Sequence, residues 1–104
     1  MTKVVVHVDD PKRVALAVGN VRNLQVALPA TEVIVVVNGP AITSLTTAAW
    51  QPLLATGVEI DACHNAMVSH QLTASMLPTG VVVVPAGVAR IVTLQASGAA
   101  YLKP

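Results

Sequence analysis

Val4-Val5-Val6-His7-Val8-Asp9-Asp10-Pro11 decides the fold. Its β-branched run is almost unbroken, which suits a strand covered on both faces rather than one with a wet side. Asp10 then offers a carboxylate to cap a helix, and Pro11 occupies the first helical position, where a missing N–H costs nothing. Val14, Ala17, Val18, Val21, Leu24 and Leu28 follow at spacings of three and four, and Pro29 stops the run. A buried strand feeding directly into an amphipathic helix is half of a strand–helix–strand crossover.

The other half follows at once. Val33-Ile34-Val35-Val36-Val37 repeats the apolar run and ends in Asn38-Gly39-Pro40, a turn signal. Between Ala41 and Ala55, three threonines lower helix propensity and Gln51-Pro52 reads as a break, so one or two short helices are expected, with Trp50, Leu53 and Leu54 packing on the sheet. Val58-Glu59-Ile60-Asp61-Ala62-Cys63 alternates, predicting a strand near an edge with one wetter face. A short helix follows Cys63 and closes at Pro78-Thr79-Gly80. Val81 to Val84 is a fourth strand, and Pro85-Ala86-Gly87 is a turn into a last helix whose face is read as Val88, Ile91, Val92 and Gln95, with Gly98 as its C-cap. Tyr101-Leu102-Lys103 adds a final strand. Repeated crossovers require a mainly parallel sheet with helices on both faces.

Composition limits the function. With 104 residues, the expectation is one domain over residues 1–104. Six Lys and Arg against five Asp and Glu remove the electrostatic case for nucleic acid. Charged residues make up 11% of the chain, too few to cover a small monomer, so burial of apolar surface in a homo-oligomer is expected. Asn38-Gly39-Pro40 and Gln51-Pro52 interrupt the apolar stretches well short of a membrane span. The N-terminus does not read as a signal peptide, and the single cysteine fits a reducing compartment, so a cytoplasmic location is expected. There is no G-x-G-x-x-G or G-x-x-x-x-G-K-[ST] run to cradle a cofactor's phosphates, and no two-ligand spacing for a metal. No cofactor and no metal are expected.

In an open parallel sheet, ligands bind beyond the carboxyl ends of the strands. Here those ends carry His7 and Asp9, Asn38 and Gly39, Cys63, His64 and Asn65, and Pro85, Ala86 and Gly87. Cys63 is the nucleophile placed both at a strand end and at a helix start, where the helix dipole favours a thiolate able to hold transferable sulfur. A free cysteine also packs commonly as a small hydrophobe, and both readings stand. His7 has a similar alternative as a hydrogen-bonded core residue, and His64 points away from Cys63 if the strand continues. Asn38 and Gly39, with Pro85 and Gly87, either line a pocket or only turn the chain. Asp9 and Asp10 are accounted for by helix capping and the helix dipole.

Three stretches together resemble the DsrE/DsrF-like family, in particular its small, largely uncharacterised members. They are His7 to Pro11 running on to Val18-Gly19-Asn20-Val21-Arg22-Asn23-Leu24; Gly57 to Asn65; and Gly80 through Pro85-Ala86-Gly87-Val88-Ala89 to the Gly98–Pro104 tail. The resemblance implies a three-layer α/β/α sandwich around a mainly parallel sheet of about five strands. It implies a trimer or hexamer. It also implies persulfide chemistry on a cysteine after the third strand, the position of Cys63, and no other site residue carries over from it; His7, Asn38, Gly39, His64, Asn65, Pro85 and Gly87 are candidate binding residues from their place at the strand ends. No second cysteine is present to resolve a persulfide internally, so donor and acceptor proteins are implied. The rival expectation is a non-catalytic subunit, small-ligand-binding or structural, in which Cys63 only packs.

Overall fold

A computed structural model describes residues 2–104. Five strands form one sheet: β1 Lys3–Val8, β2 Glu32–Val37, β3 Glu59–Cys63, β4 Val82–Val84 and β5 Ala100–Leu102. Their order is β4-β3-β2-β1-β5, and every pairing is parallel. The longest apolar runs hold the centre: Val33 to Val37 of β2 are all buried, as are Val4, Val5, Val6 and Val8 of β1. Four α-helices accompany them, α1 Val14–Ala27, α2 Gln51–Leu54, α3 His64–Ser69 and α4 Gly87–Ala96.

Because side chains alternate across a strand, the register divides the core in two. Val4, Val6, Val8, Val33, Val35, Val37, Ile60 and Ala62 face α1, α2 and α3. Val5, Ile34 and Val36 face the other way, where Ile91 and Leu94 of α4 cover them with Ala99. The fold is thus a three-layer α/β/α sandwich, with one of its outer layers a single helix.

Asp10 caps as read, its carboxylate accepting the Lys12 N–H at 2.9 Å, although the first turn over Pro11–Arg13 is 3-10 and the α-helix begins at Val14. Val14, Ala17 and Val21 form its buried face, whereas Leu28 lies past its end and is exposed. The 39–54 region differs more from expectation. It holds 3-10 segments at Gly39–Thr46 and Ala48–Trp50, then α2, and Pro52 sits in α2's first turn instead of breaking a helix. The cause is visible in the hydroxyls: Thr43, Ser44, Thr46 and Thr47 each donate to the carbonyl three residues back, at 3.0, 2.6, 2.8 and 2.6 Å. These bonds reward the tighter i to i−3 winding. Trp50 is buried beneath them and donates from Nε1 to Ser44 Oγ at 2.8 Å.

Two expectations about faces are corrected. β3 does neighbour an edge strand, but Asp61 is 0% exposed, so that face is dry at Asp61 and the carboxylate is held by Arg90. On α4 the buried residues are Gly87, Ile91 and Leu94, while Val88 and Val92 are 63% and 66% exposed. Gly98 takes φ +103° immediately after the helix, as a residue ending it in the left-handed region must. No helix among the described residues is long and apolar enough to cross a membrane.

Candidate functional site

The carboxyl ends of β2 and β3 meet the start of α4. Gly87 is what allows the approach: a Cβ there would stand 3.1 Å from Asn38 Cβ, 3.2 Å from Cys63 Cβ and 3.3 Å from Val36 Cγ1. A cavity of about 280 Å³ opens at this junction. Asn38, Gly39, Cys63, Asn65, Ala86 and Gly87 line it, joined by Ala66, Ser69 and Val88. Cys63 is 6% exposed, a nearly buried side chain at the wall of an opening.

The local chemistry there is that of neutral donors. No side chain accepts from the first turn of α4, whose N-cap is Ala86, and α3 opens after Cys63 equally uncapped. The first N–H groups of a helix have no intrahelical partner, so the start of α4 at the cavity wall offers uncapped amide donors. No Asp, Glu, Lys or Arg lines the cavity.

Of the remaining expected residues, His7 stands one hydrogen bond behind the wall. Its Nε2 lies 2.9 Å from Asn38 Oδ1 and its Nδ1 lies 2.6 Å from Tyr101 Oη. His64 and Pro85 are not brought in: His64 is exposed at the start of α3, and Pro85 lines a separate depression with Val84, Ala89, Arg90 and Thr93. Ala66 and Ser69 were missed, though they follow Cys63 and Asn65 at helical spacing. Tyr101 was missed as well, and nothing local to residue 101 points to His7.

Deeper along the same face of β3, Arg90 of α4 holds two carboxylates. Its Nε donates to Asp61 Oδ2 at 2.9 Å and one terminal nitrogen donates to Glu59 Oε2 at 3.0 Å. Asp61 Oδ1 is buried without a hydrogen-bond partner. Burial, reinforced by the neighbouring Glu59 carboxylate, pushes the Asp61 carboxyl up to about 6. Glu59 is held below the ordinary carboxylate range, chiefly by its interaction with the neighbouring Asp61 carboxyl, with Arg90 adding to the effect.

A larger groove of about 570 Å³ runs between α1 and the 3-10 segments, lined by Val14, Val18, Thr43 and Ala49 among others. It carries no titratable side chain. Among the described residues, no three His, Cys, Asp or Glu side chains gather as a metal site.

No protein-family model matches the chain, and no curated protein does. Solved structures do. The ychN protein from E. coli aligns over 100% of both chains with a TM-score of 0.86 and 13% identity, a likeness of fold alone. The structure of MTH1491 from Methanobacterium thermoautotrophicum, a protein of unknown function, aligns over 100% of both chains with a TM-score of 0.92 and 33% identity. Sequence and fold agree along the whole length, and the chain belongs to the same family as MTH1491.

Proposed function

We propose that this protein is a sulfur carrier of the DsrE/DsrF-like kind, with Cys63 as the residue that holds the cargo. The observation that carries the reading is the position of Cys63, at the wall of a cavity and under the uncapped start of α4. The Cys63 thiolate attacks the outer sulfur of a persulfide donor, R–S–SH. The S–S bond breaks, RS⁻ leaves with the electron pair, and Cys63–S–SH remains. A partner's thiolate then takes the outer sulfur, and the Cys63 thiolate is the leaving group. Both steps balance without an external oxidant or reductant.

The carrier works as a cytoplasmic homo-oligomer, a trimer or hexamer, in which the outward Val88 and Val92 of α4 are covered. Their exposure, with that of Val82 and Tyr101, supports this on a chain only 11% charged. Loading is tested by incubating the protein with a low-molecular-weight persulfide and measuring intact mass. Addition of one sulfur to wild type and none to Cys63→Ser is expected; no addition, or equal addition to both, rejects the carrier. The low exposure of Cys63 favours one second reading, a non-catalytic binding or structural subunit in which the thiol only packs. That reading requires a thiol that labels only after unfolding.

A further inference from the structure

The hydrogen bonds behind the cavity run in one direction. Asn38 Oδ1, 2.9 Å from His7 Nε2, is a carboxamide oxygen and can only accept, so Nε2 carries the imidazole proton. A neutral ring then leaves Nδ1 as an acceptor, and the Tyr101 hydroxyl, 2.6 Å away, donates to it. With Oδ1 occupied, the polar atom left to Asn38 is Nδ2, a double donor on a side chain that lines the cavity beside Cys63. An amide turned the other way would leave its acceptor oxygen there, opposing any anion on the sulfur. We propose that His7 and Tyr101 are positioning residues, Tyr101 holding the imidazole ring from its far nitrogen and His7 engaging Asn38 Oδ1 so that the donor end of the amide is available to the cavity, and that the site thereby selects anionic species at the Cys63 sulfur. For the persulfide anion the inference rests on the sulfur-carrier reading; for a charged probe it does not.

The test uses two alkylating agents on native protein, iodoacetate and iodoacetamide. The same sulfur attacks the methylene carbon of either and expels iodide, so thiolate fraction and burial cancel in the ratio of their rates and recognition of charge remains. Tyr101→Phe is expected to lower the iodoacetate-to-iodoacetamide ratio about threefold, the loss of one orienting hydrogen bond. Asn38→Asp, which sets a carboxylate beside the sulfur, should lower it about tenfold. In an Asn38→Ala background, Tyr101→Phe should change nothing, since Tyr101 acts through Asn38. Nitrogen NMR of wild type should find His7 protonated at Nε2. A ratio unmoved by Tyr101→Phe, an effect that persists in the Asn38→Ala background, or a His7 proton on Nδ1 overturns the inference. Wild type that takes no sulfur while the ratio still responds overturns the carrier alone; sulfur loading with an unmoved ratio overturns the positioning chain alone. A thiol that alkylates only after unfolding overturns both.

Discussion

Gly87→Ala is a one-methyl change whose sign follows from distances. The added carbon would sit 3.1, 3.2 and 3.3 Å from carbons of Asn38, Cys63 and Val36. Favourable carbon–carbon separation is about 3.5 to 4.0 Å, so all three contacts are short by a few tenths. None of the three partners is a loose chain end. Val36 is buried in the central strand, Cys63 Cβ is fixed to β3, and Asn38 is tied to His7. The start of α4 must therefore lift, at about 1–3 kcal/mol for overpacking. Alanine at a helix start recovers up to about 1 kcal/mol of backbone entropy, because Gly87 does not occupy the left-handed region. The net loss is about 1–2 kcal/mol, or roughly 5–10 °C in Tm for a chain of this size. Gly19→Ala is the control: Gly19 lies in α1, a Cβ there meets nothing within 4 Å, and a gain of about 0.5–1 kcal/mol is expected. Melts at one fixed protein concentration compare the three proteins. A Gly87→Ala protein as stable as wild type, with Cys63 alkylating at an unchanged rate, would refute the close-approach account.

Arg90→Met strands the buried Asp61 carboxylate and should cost about 2–4 kcal/mol in urea denaturation at pH 7; the double variant with Asp61→Asn should recover much of it. Stability should also depend on pH through Asp61. Its folded carboxyl titrates near 6 against an ordinary value of 3.8, so its contribution is fully present below about pH 4 and is lost as pH rises through 6. Glu59, held low, works in the opposite sense, contributing above its ordinary range and losing that contribution as pH falls. Urea midpoints of wild type relative to Asp61→Asn should therefore decline from pH 4 to pH 7, and a flat or rising difference contradicts the assigned shift. Trp50→Phe removes a buried N–H bond to Ser44 and part of a fully buried ring, for an expected loss of about 2–3 kcal/mol measured the same way.

The central sheet was legible because its signal is local and redundant. A β-branched run such as Val33 to Val37 suits a two-sided burial, and a cap–proline pair such as Asp10-Pro11 specifies where the next helix begins. Most of the cavity wall was legible for a topological reason, since parallel strands bring their carboxyl ends together, and those ends hold Asn38, Gly39, Cys63 and Asn65. The face of α4 was misread because two stripes compete. Val88 and Val92 are more apolar than Gly87, but it is the residue with no side chain that allows the helix to seat. Arg90 pairs with carboxylates 29 and 31 positions away, and Tyr101 meets a histidine 94 positions away. No periodicity in a single sequence encodes such partners; strand order does, and order is set by how all five strands pack.

One helix links the two polar features of the sheet's α4 side. Glu59, Asp61 and Cys63 alternate along β3 and so project from the same face, placing Asp61 about 7 Å along the strand from Cys63. At an effective dielectric of about 20, an unopposed carboxylate at that distance would disfavour an anion on the sulfur by about 2 kcal/mol. Arg90, one turn into α4 from Gly87, neutralises Asp61 with a direct bond, while the uncapped first turn of the same helix lies at the cavity that Cys63 lines. Seating α4 at Gly87 against Asn38, Cys63 and Val36 therefore places its uncapped first turn and the guanidinium together. Two acidic residues just upstream of a proposed anionic sulfur are compatible with that role because the helix that shapes the cavity also carries their counter-charge.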